Sequence, residues 1–129
     1  AVAVEGMDSA LERVAAYARA GADMIFPEAL SSLDQYRAFK EAAGLPVLAN
    51  LTEFGLTPPF TCRQLAGAGV DMALYPLSAS RAMNRAALTV LESIREKGTQ
   101  ADVADRMMTR VELYDLLGYE AQERKQRHG

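Results

Sequence analysis

The chain has 129 residues, of which 50% are hydrophobic and 24% are charged, and its formal net charge is −3. This composition is typical of a globular domain, and it argues against a nucleic-acid surface because basic residues cluster only at the last six positions. No apolar run approaches the roughly 18 residues of a transmembrane helix. The single Cys62 cannot form an internal disulfide, so we expect a cytoplasmic protein without a membrane or nucleic-acid partner.

Three apolar stretches, each followed by polar residues, predict the strands of the protein. They cover residues 22–28, 46–55 and 70–78, a spacing of about 24 residues that accommodates one strand, one helix and two short loops. The phrase AGADM at 20–24 returns as AGVDM at 68–72, which supports a repeated unit. Repeated β/α units predict a parallel sheet, and the unbroken apolar run at 47–49 within the stretch 46–55 predicts a strand buried on both faces.

Helix-capping residues predict where the helices begin and end. In chain order the predicted helices cover residues 8–20 with Asp8 as N-cap, 32–44 with a Ser32–Gln35 capping box, 61–68 with a Thr61–Gln64 box, and 81–97 before Gly98. Two more follow, capped by Thr99 and by the Thr109–Glu112 box. In the 81–97 helix, helical spacing predicts a buried face made of Ala82, Met83, Ala86, Ala87, Val90, Leu91 and Ile94.

The number of units predicts part of a larger α/β fold. Three parallel strands alone would leave both sheet edges unpaired, and a complete (β/α)₈ barrel needs about 250 residues. We therefore interpret residues 1–98 as the C-terminal half of a (β/α)₈ TIM barrel with three β/α units. Residues 99–129 would form a C-terminal helical extension, whose charged end at 119–129 we expect to face solvent.

Polar residues stand where the predicted strands end. Glu28 ends the first strand, Asn50 and Thr52 follow the second, and Ser78 follows the third. Active sites of parallel α/β proteins lie at the carboxyl ends of the strands, so these residues are candidates for chemistry, although each could simply cap a loop. Asp23 and Asp71 precede their strands and are expected to be structural.

Two arginines are candidate anion ligands. Arg81 follows a serine-rich turn at a predicted helix start, where backbone N–H groups attract anions, although it could equally be a surface ion-pair partner. Arg110 is a weaker candidate from sequence alone. Cys62 has no base nearby in sequence and is expected to be structural, and the only histidine, His128, is a poor candidate for catalysis. No Asp/His cluster completes a metal site on the strand-end face.

Four phrases of the sequence resemble a known family. They are residues 21–29 (GADMIFPEA), 46–58 (PVLANLTEFGLTP), 72–87 (MALYPLSASRAMNRAA) and 97–119 (KGTQADVADRMMTRVELYDLLGY). Together they resemble the 2-methylisocitrate lyases, a family of the isocitrate lyase/phosphoenolpyruvate mutase superfamily. The resemblance implies a (β/α)₈ barrel, usually a tetramer with a C-terminal helix exchanged between subunits, that cleaves 2-methylisocitrate to pyruvate and succinate with Mg²⁺.

The resemblance also implies roles for individual residues. Glu28 would be a catalytic strand-end carboxylate near the substrate and a metal-bound water. The remaining implied residues contact the small tricarboxylate substrate, and they are Asn50, Leu51, Thr52, Arg81 and Arg110.

Several family motifs are not found in this sequence. The KRCGH-type loop with the catalytic cysteine, the metal-binding aspartates and a further substrate arginine lie upstream in relatives, and Cys62 does not match that cysteine. We therefore expect a portion of the lyase that is inactive by itself, with most Mg²⁺ ligands outside it. The alternatives are isocitrate lyase, another oxo-acid lyase of the superfamily, or a non-catalytic half-barrel that associates with itself.

Overall fold

The computed structural model describes residues 2–119 and 123 and divides the chain into two compact units, which we call the first unit (1–80) and the second unit (81–129). The elements are α1 (Val2–Arg19), α2 (Leu33–Ala43), β1 (Leu48–Asn50), α3 (Cys62–Gly67), β2 (Met72–Leu74), α4 (Ser78–Lys97), a 3₁₀ helix (Ala101–Arg106) and α5 (Arg110–Leu117). The predicted α/β class is confirmed. The predicted boundary after Gly98 is a different one, since it separates a half-barrel from its helical extension. That boundary stays a prediction.

The strands pair in parallel, as the β/α repeat predicts. Leu48 lies opposite Met72 and Asn50 opposite Leu74. On the other side of β1, Val47 forms a single parallel bridge with Ile25. The predicted strand at 22–28 is therefore wrong in length, because only Ile25 has ladder partners among the described residues and a strand needs a partner along its whole length.

The core of the first unit lies between this sheet and helices α1, α2 and α3. Its fully buried side chains include Leu30, Tyr36, Val47 and Leu65. Val47 and Ala49 are buried, whereas Leu48, on the opposite face of β1, is half-buried. The prediction of a strand buried on both faces is thus correct for one face only.

Most predicted helix ends are confirmed by hydrogen bonds. The Thr61–Gln64 and Thr109–Glu112 boxes are both reciprocal, and Gly44 and Gly98 follow α2 and α4 with φ of 63° and 70°. These signals are reliable because a cap is a contact between residues close in sequence.

Predictions for three helix N-termini need correction. Helix α1 consists of two helical segments joined at Gly6, whose φ of 83° is non-helical, so a segment that begins at Val2 precedes the one predicted to start near Asp8. Ser32 caps α2, but the Gln35 side chain accepts from the Ser31 N–H instead of closing the box on Ser32. Thr99 accepts from the Ala101 N–H, yet the N-cap of the 3₁₀ helix is Gln100.

The predicted buried face of α4 is wrong for its large residues. Met83, Leu91 and Ile94 are exposed, and the buried residue of α4 is Ser93, whose Oγ donates to the Thr99 carbonyl at 3.0 Å. Helical spacing shows which face is apolar, but burial also needs an element that covers that face.

No helix among the described residues is long and apolar enough to cross a membrane. Of the predicted solvent-facing end at 119–129, only Tyr119 and Glu123 are described, and the Tyr119 hydroxyl donates to Glu123 at 3.0 Å. The other residues of that segment, including His128, lie outside the described residues.

Candidate active site

The carboxyl ends of the paired segments bring the predicted strand-end residues to one edge of the sheet. Asn50 ends β1 opposite Leu74, which ends β2, and Glu28 follows Ile25 by three residues. Because the segments run parallel, their carboxyl ends lie on the same side. Glu28 is exposed and Asn50 is half-buried, so this edge combines an accessible carboxylate with a partly shielded amide.

Asn50 carries the polar atom at this edge that lacks a partner. Its Oδ1 is buried and has no hydrogen bond to any described residue. A buried acceptor without a donor costs free energy, and polar groups in this state are often completed by a ligand. Asn50 could therefore accept a hydrogen bond from a bound hydroxyl group, while an amide can also donate to a carboxylate.

The role of Leu51 toward a substrate stays a prediction, and its backbone limits what that role can be. Its backbone N–H donates to the Leu74 carbonyl at 2.8 Å, so this N–H is already used within the sheet. Leu51 can contact a substrate through its position and its apolar side chain, but its amide is not available to a carboxylate. The register between β1 and β2 determines that the Leu51 N–H is bonded within the sheet. A sequence does not reveal that register.

Tyr36 is a residue at this edge that the sequence analysis missed. It lies on α2, is 1% exposed, and makes a side-chain hydrogen bond with Thr57 in the connection after β1. Burial raises the pKa of Tyr36, the hydrogen bond with Thr57 opposes this rise, and the negative charge of Glu28 adds to it. A neutral phenol thus anchors the connection close to Glu28.

Glu53 is a second residue that the sequence analysis missed. Its carboxylate accepts a hydrogen bond from Ser78 Oγ, so the loop after β1 is joined to the start of α4. The connection that carries Glu53 encloses a pocket of about 530 Å³ lined mainly by apolar side chains, with Thr52 and Tyr75 among its polar ones.

Cys62 lies beside this connection and contacts a hydroxyl group. Its Sγ is 3.3 Å from the Tyr75 Oη, and this hydrogen bond raises the pKa of Tyr75. A tyrosine whose pKa is raised stays protonated at neutral pH, so it offers no phenolate to take the proton of a thiol. The contact supports the structural interpretation of Cys62.

Asp71 has the predicted structural role at the opposite end of the strands. Its Oδ2 accepts from the Val47 N–H and from Lys40 Nζ, both at 2.8 Å. These contacts, with the Lys40 bond first, hold the pKa of Asp71 below its ordinary value. Asp71 therefore links α2, β1 and the start of β2, away from the candidate site.

The two candidate arginines belong to the second unit. Arg81 is half-buried in the first turn of α4, and Arg110 is the exposed first residue of α5. Their roles toward a substrate stay predictions.

The described side chains do not form a metal site by themselves. Within residues 2–119 and 123, no group of three His, Cys, Asp or Glu side chains is close enough together to hold an ion.

Known proteins are similar to this chain in sequence. The family model of phosphoenolpyruvate phosphomutase matches residues 2–95. The 2-methylisocitrate lyase of Escherichia coli (strain K12) is 56% identical over 125 residues, which make up 97% of this chain and 42% of the lyase. The chain therefore spans about two fifths of the length of that curated relative.

Two solved structures are similar in fold. The crystal structure of 2,3-dimethylmalate lyase, a PEP mutase/isocitrate lyase superfamily member, has a TM-score of 0.82 at 25% identity and covers 99% of this chain and 45% of its own. The phosphonopyruvate hydrolase complex with oxalate and Mg²⁺ has a TM-score of 0.70 at 27% identity, covering 92% and 42%. The elements of the two units thus have counterparts in both proteins.

Proposed function

Because the chain belongs to the phosphoenolpyruvate phosphomutase family, we propose that it is the C-terminal portion of a carbon–carbon lyase that cleaves 2-methylisocitrate to pyruvate and succinate. The observation that carries this proposal is the similarity to the Escherichia coli 2-methylisocitrate lyase over nearly the whole chain. The strand-end edge with Glu28 and the unpartnered Asn50 oxygen supports a site for a polar ligand.

The substrate is a small tricarboxylate, and the proposed residues suit its charges. Arg81 and Arg110 bind carboxylates through their guanidinium groups, which can donate two parallel hydrogen bonds to one carboxylate. The Asn50 amide and Thr52 hold a further carboxylate or the hydroxyl group. Leu51 contributes an apolar contact next to them, since its N–H is bonded to Leu74.

Cleavage requires one proton to leave and another to arrive. The substrate hydroxyl loses its proton as the adjacent carbon–carbon bond breaks, which gives pyruvate, and the electron pair left on carbon takes up a proton to give succinate. We place Glu28 at the substrate as the catalytic carboxylate of this chain, where it orients a water molecule beside the reacting groups.

We propose that the complete lyase uses Mg²⁺, which stabilises negative charge on oxygen during such cleavages. The phosphonopyruvate hydrolase solved with Mg²⁺ supports this requirement. The ligands would come mostly from the part of the enzyme that this chain does not span, with Glu28 reaching the ion through water.

We also propose the assembly and the location of the lyase. The chain would form half of a (β/α)₈ barrel, with residues 99–129 exchanged between subunits of a cytoplasmic homo-oligomer, a tetramer in the complete enzyme. The 2,3-dimethylmalate lyase neighbour supports a second candidate, another oxo-acid lyase of the superfamily. Isocitrate lyase is one of these other oxo-acid lyases.

Pyruvate release tests the function. The isolated chain should release no pyruvate from 2-methylisocitrate with Mg²⁺, whereas the chain joined to the N-terminal portion of a relative should do so. Pyruvate from the isolated chain would contradict the proposed half-enzyme. Glyoxylate from isocitrate as the preferred product would favour isocitrate lyase.

A conservative substitution tests the arginine. In the joined enzyme, Arg81→Lys keeps the charge but loses the bidentate geometry, and we expect kcat/KM to fall by about 10- to 100-fold with an unchanged Tm. Arg37→Lys is the matched control, because Arg37 pairs with Asp34 on the solvent-exposed face of α2. Equal kinetics for both variants would make Arg81 a surface residue.

A further inference from the structure

Residues 52–55 form a tight turn directly after β1. The Gly55 N–H donates to the Thr52 carbonyl at 3.4 Å, and Phe54 within the turn has φ 64° with its side chain 97% exposed. A positive φ is unfavourable for a bulky residue, and Phe54 gains no burial in exchange. Other contacts therefore hold the turn in this conformation.

Gly55 makes this turn sensitive to substitution. A Cβ atom at position 55 would lie 3.2 Å from Thr52 Cγ2 and 3.3 Å from the Thr52 carbonyl oxygen. Contacts this short would require Thr52 to shift by a few tenths of an ångström. The turn is thus closely packed on its inner side while Phe54 stays in solvent.

The contact that the turn provides is the hydrogen bond between Glu53 and Ser78. The register that places Asn50 opposite Leu74 brings the two loops side by side, and Ser78 Oγ donates to the Glu53 carboxylate. Ser78 is the first residue of α4, which has no acidic residue in its own first turn. A negative charge is favourable at a helix N-terminus, and Glu53 supplies it from the preceding loop.

We propose that Glu53 is a positioning residue for Arg81. By holding Ser78, Glu53 fixes the first turn of α4, and Arg81 follows Ser78 by three residues in the same helix, so both extend from the same side. The strained turn at 52–55 places Glu53 for this contact. The inference rests on the proposed function, in which Arg81 binds a substrate carboxylate.

Kinetic coupling in the joined enzyme tests this role. Glu53→Gln and Ser78→Ala should each raise the KM for 2-methylisocitrate about tenfold with a smaller change in kcat, because a misplaced Arg81 weakens binding. In an Arg81→Lys background, Glu53→Gln should raise KM by less than about twofold further. Asp34→Asn removes an exposed carboxylate that pairs with Arg37, and it should leave KM unchanged. If Glu53→Gln raises KM by the same factor in the Arg81→Lys background as in the unsubstituted enzyme, the inference is wrong.

Hydrogen exchange tests the positioning without any activity. Amides 82–85 donate to the carbonyls of the first turn of α4, so Glu53→Gln and Ser78→Ala should each speed their exchange about tenfold relative to Asp34→Asn. Unchanged exchange in both variants would overturn the positioning role. If the joined enzyme without substitutions releases no pyruvate, the proposed function is wrong instead. The exchange rates of amides 82–85 would still show whether Glu53 holds the first turn of α4.

Discussion

The two units are stabilised in different ways. The first unit has a core of fully buried residues from α2, α3 and the residue before β1, namely Tyr36, Leu65 and Val47. In the described part of the second unit, only Ser93 and Val103 are buried. One unit is therefore held by packing between elements distant in sequence, whereas the other has helices without a core of comparable size.

Local contacts define the helices of the second unit. The Thr109–Glu112 box begins α5, Gly118 with φ 61° ends it, and Lys97 pairs with Asp102 at 2.8 Å. Contacts between neighbours in sequence set helix bounds but bury little apolar surface. The described residues of the second unit therefore leave the apolar side chains of its helices largely exposed.

A pair of identical substitutions tests this comparison most strongly. Leu65 is 1% exposed in the first unit and Leu116 is 68% exposed in the second. We expect Leu65→Ala to lower the free energy of unfolding by about 2–5 kcal/mol, and Leu116→Ala to change that of the dissociated chain by less than about 0.5 kcal/mol. Urea denaturation of both variants at a protein concentration low enough for the chain to be dissociated measures the difference. Equal losses would mean that the second unit has a core as well.

Self-association of the chain gives a second test of the difference between the two units. Several apolar side chains after Gly98 are exposed, namely Met107, Met108, Val111, Leu113, Leu116 and Leu117. Leaving such surface in water costs about 25 cal/mol per Å², so we expect the chain to be a dimer or larger at micromolar concentration. A chain ending at Gly98 should sediment closer to a monomer.

Point variants serve as controls for the truncation. Leu116→Asp should weaken association, whereas Gln100→Glu adds the same charge at an exposed polar position and should not. A well-folded monomer in the unmodified chain would contradict the proposed association.

Acid unfolding gives the smallest expected difference between the units. Lysine contacts lower the pKa of both Asp71 and Asp102. A lowered folded-state pKa gives stability that is present above the ordinary value of 3.8 and is lost as the pH falls through the folded-state pKa. Asp71→Asn and Asp102→Asn should therefore be more destabilising at neutral pH than at about pH 3.

The two aspartates should differ in degree. Asp71 also accepts from the Val47 N–H, whereas Lys97 alone lowers the pKa of Asp102. Asp71→Asn should thus be the more destabilising at neutral pH in urea unfolding. The reverse order would show that the surface pair of the second unit matters more than the contact to β1.

Sequence predicted the features of the fold that depend on neighbouring residues. The Thr61–Gln64 and Thr109–Glu112 capping boxes and the glycines after α2 and α4 were correct because their contacts are local, whereas the Ser32–Gln35 box was correct only for the Ser32 cap. The strand at 22–28 and the buried face of α4 were wrong because strand length and burial depend on elements elsewhere. Ser93 was missed because its partner, the Thr99 carbonyl, lies beyond the helix end.

The candidate site was predictable in position and less so in detail. Glu28 and Asn50 lie at the carboxyl edge because the order of elements determines that edge. The engaged N–H of Leu51 and the Glu53–Ser78 bond depend on the register between β1 and β2. The role of Tyr36 depends on packing of α2 against the 51–60 connection, which the sequence pattern does not describe.

The central place of β1 in the sheet bears on the folding route of the first unit. Val47 pairs with Ile25 on one side and accepts from Met72 on the other, and each partner lies about one β/α repeat away. Because the entropy of closing a loop grows only logarithmically with its length, the two closures have nearly equal barriers. Folding can therefore start on either side of β1. A longer 51–60 connection would slow the pairing of β1 with β2. The first unit would then begin to fold from the pairing of Val47 with Ile25, and its folding would not be prevented.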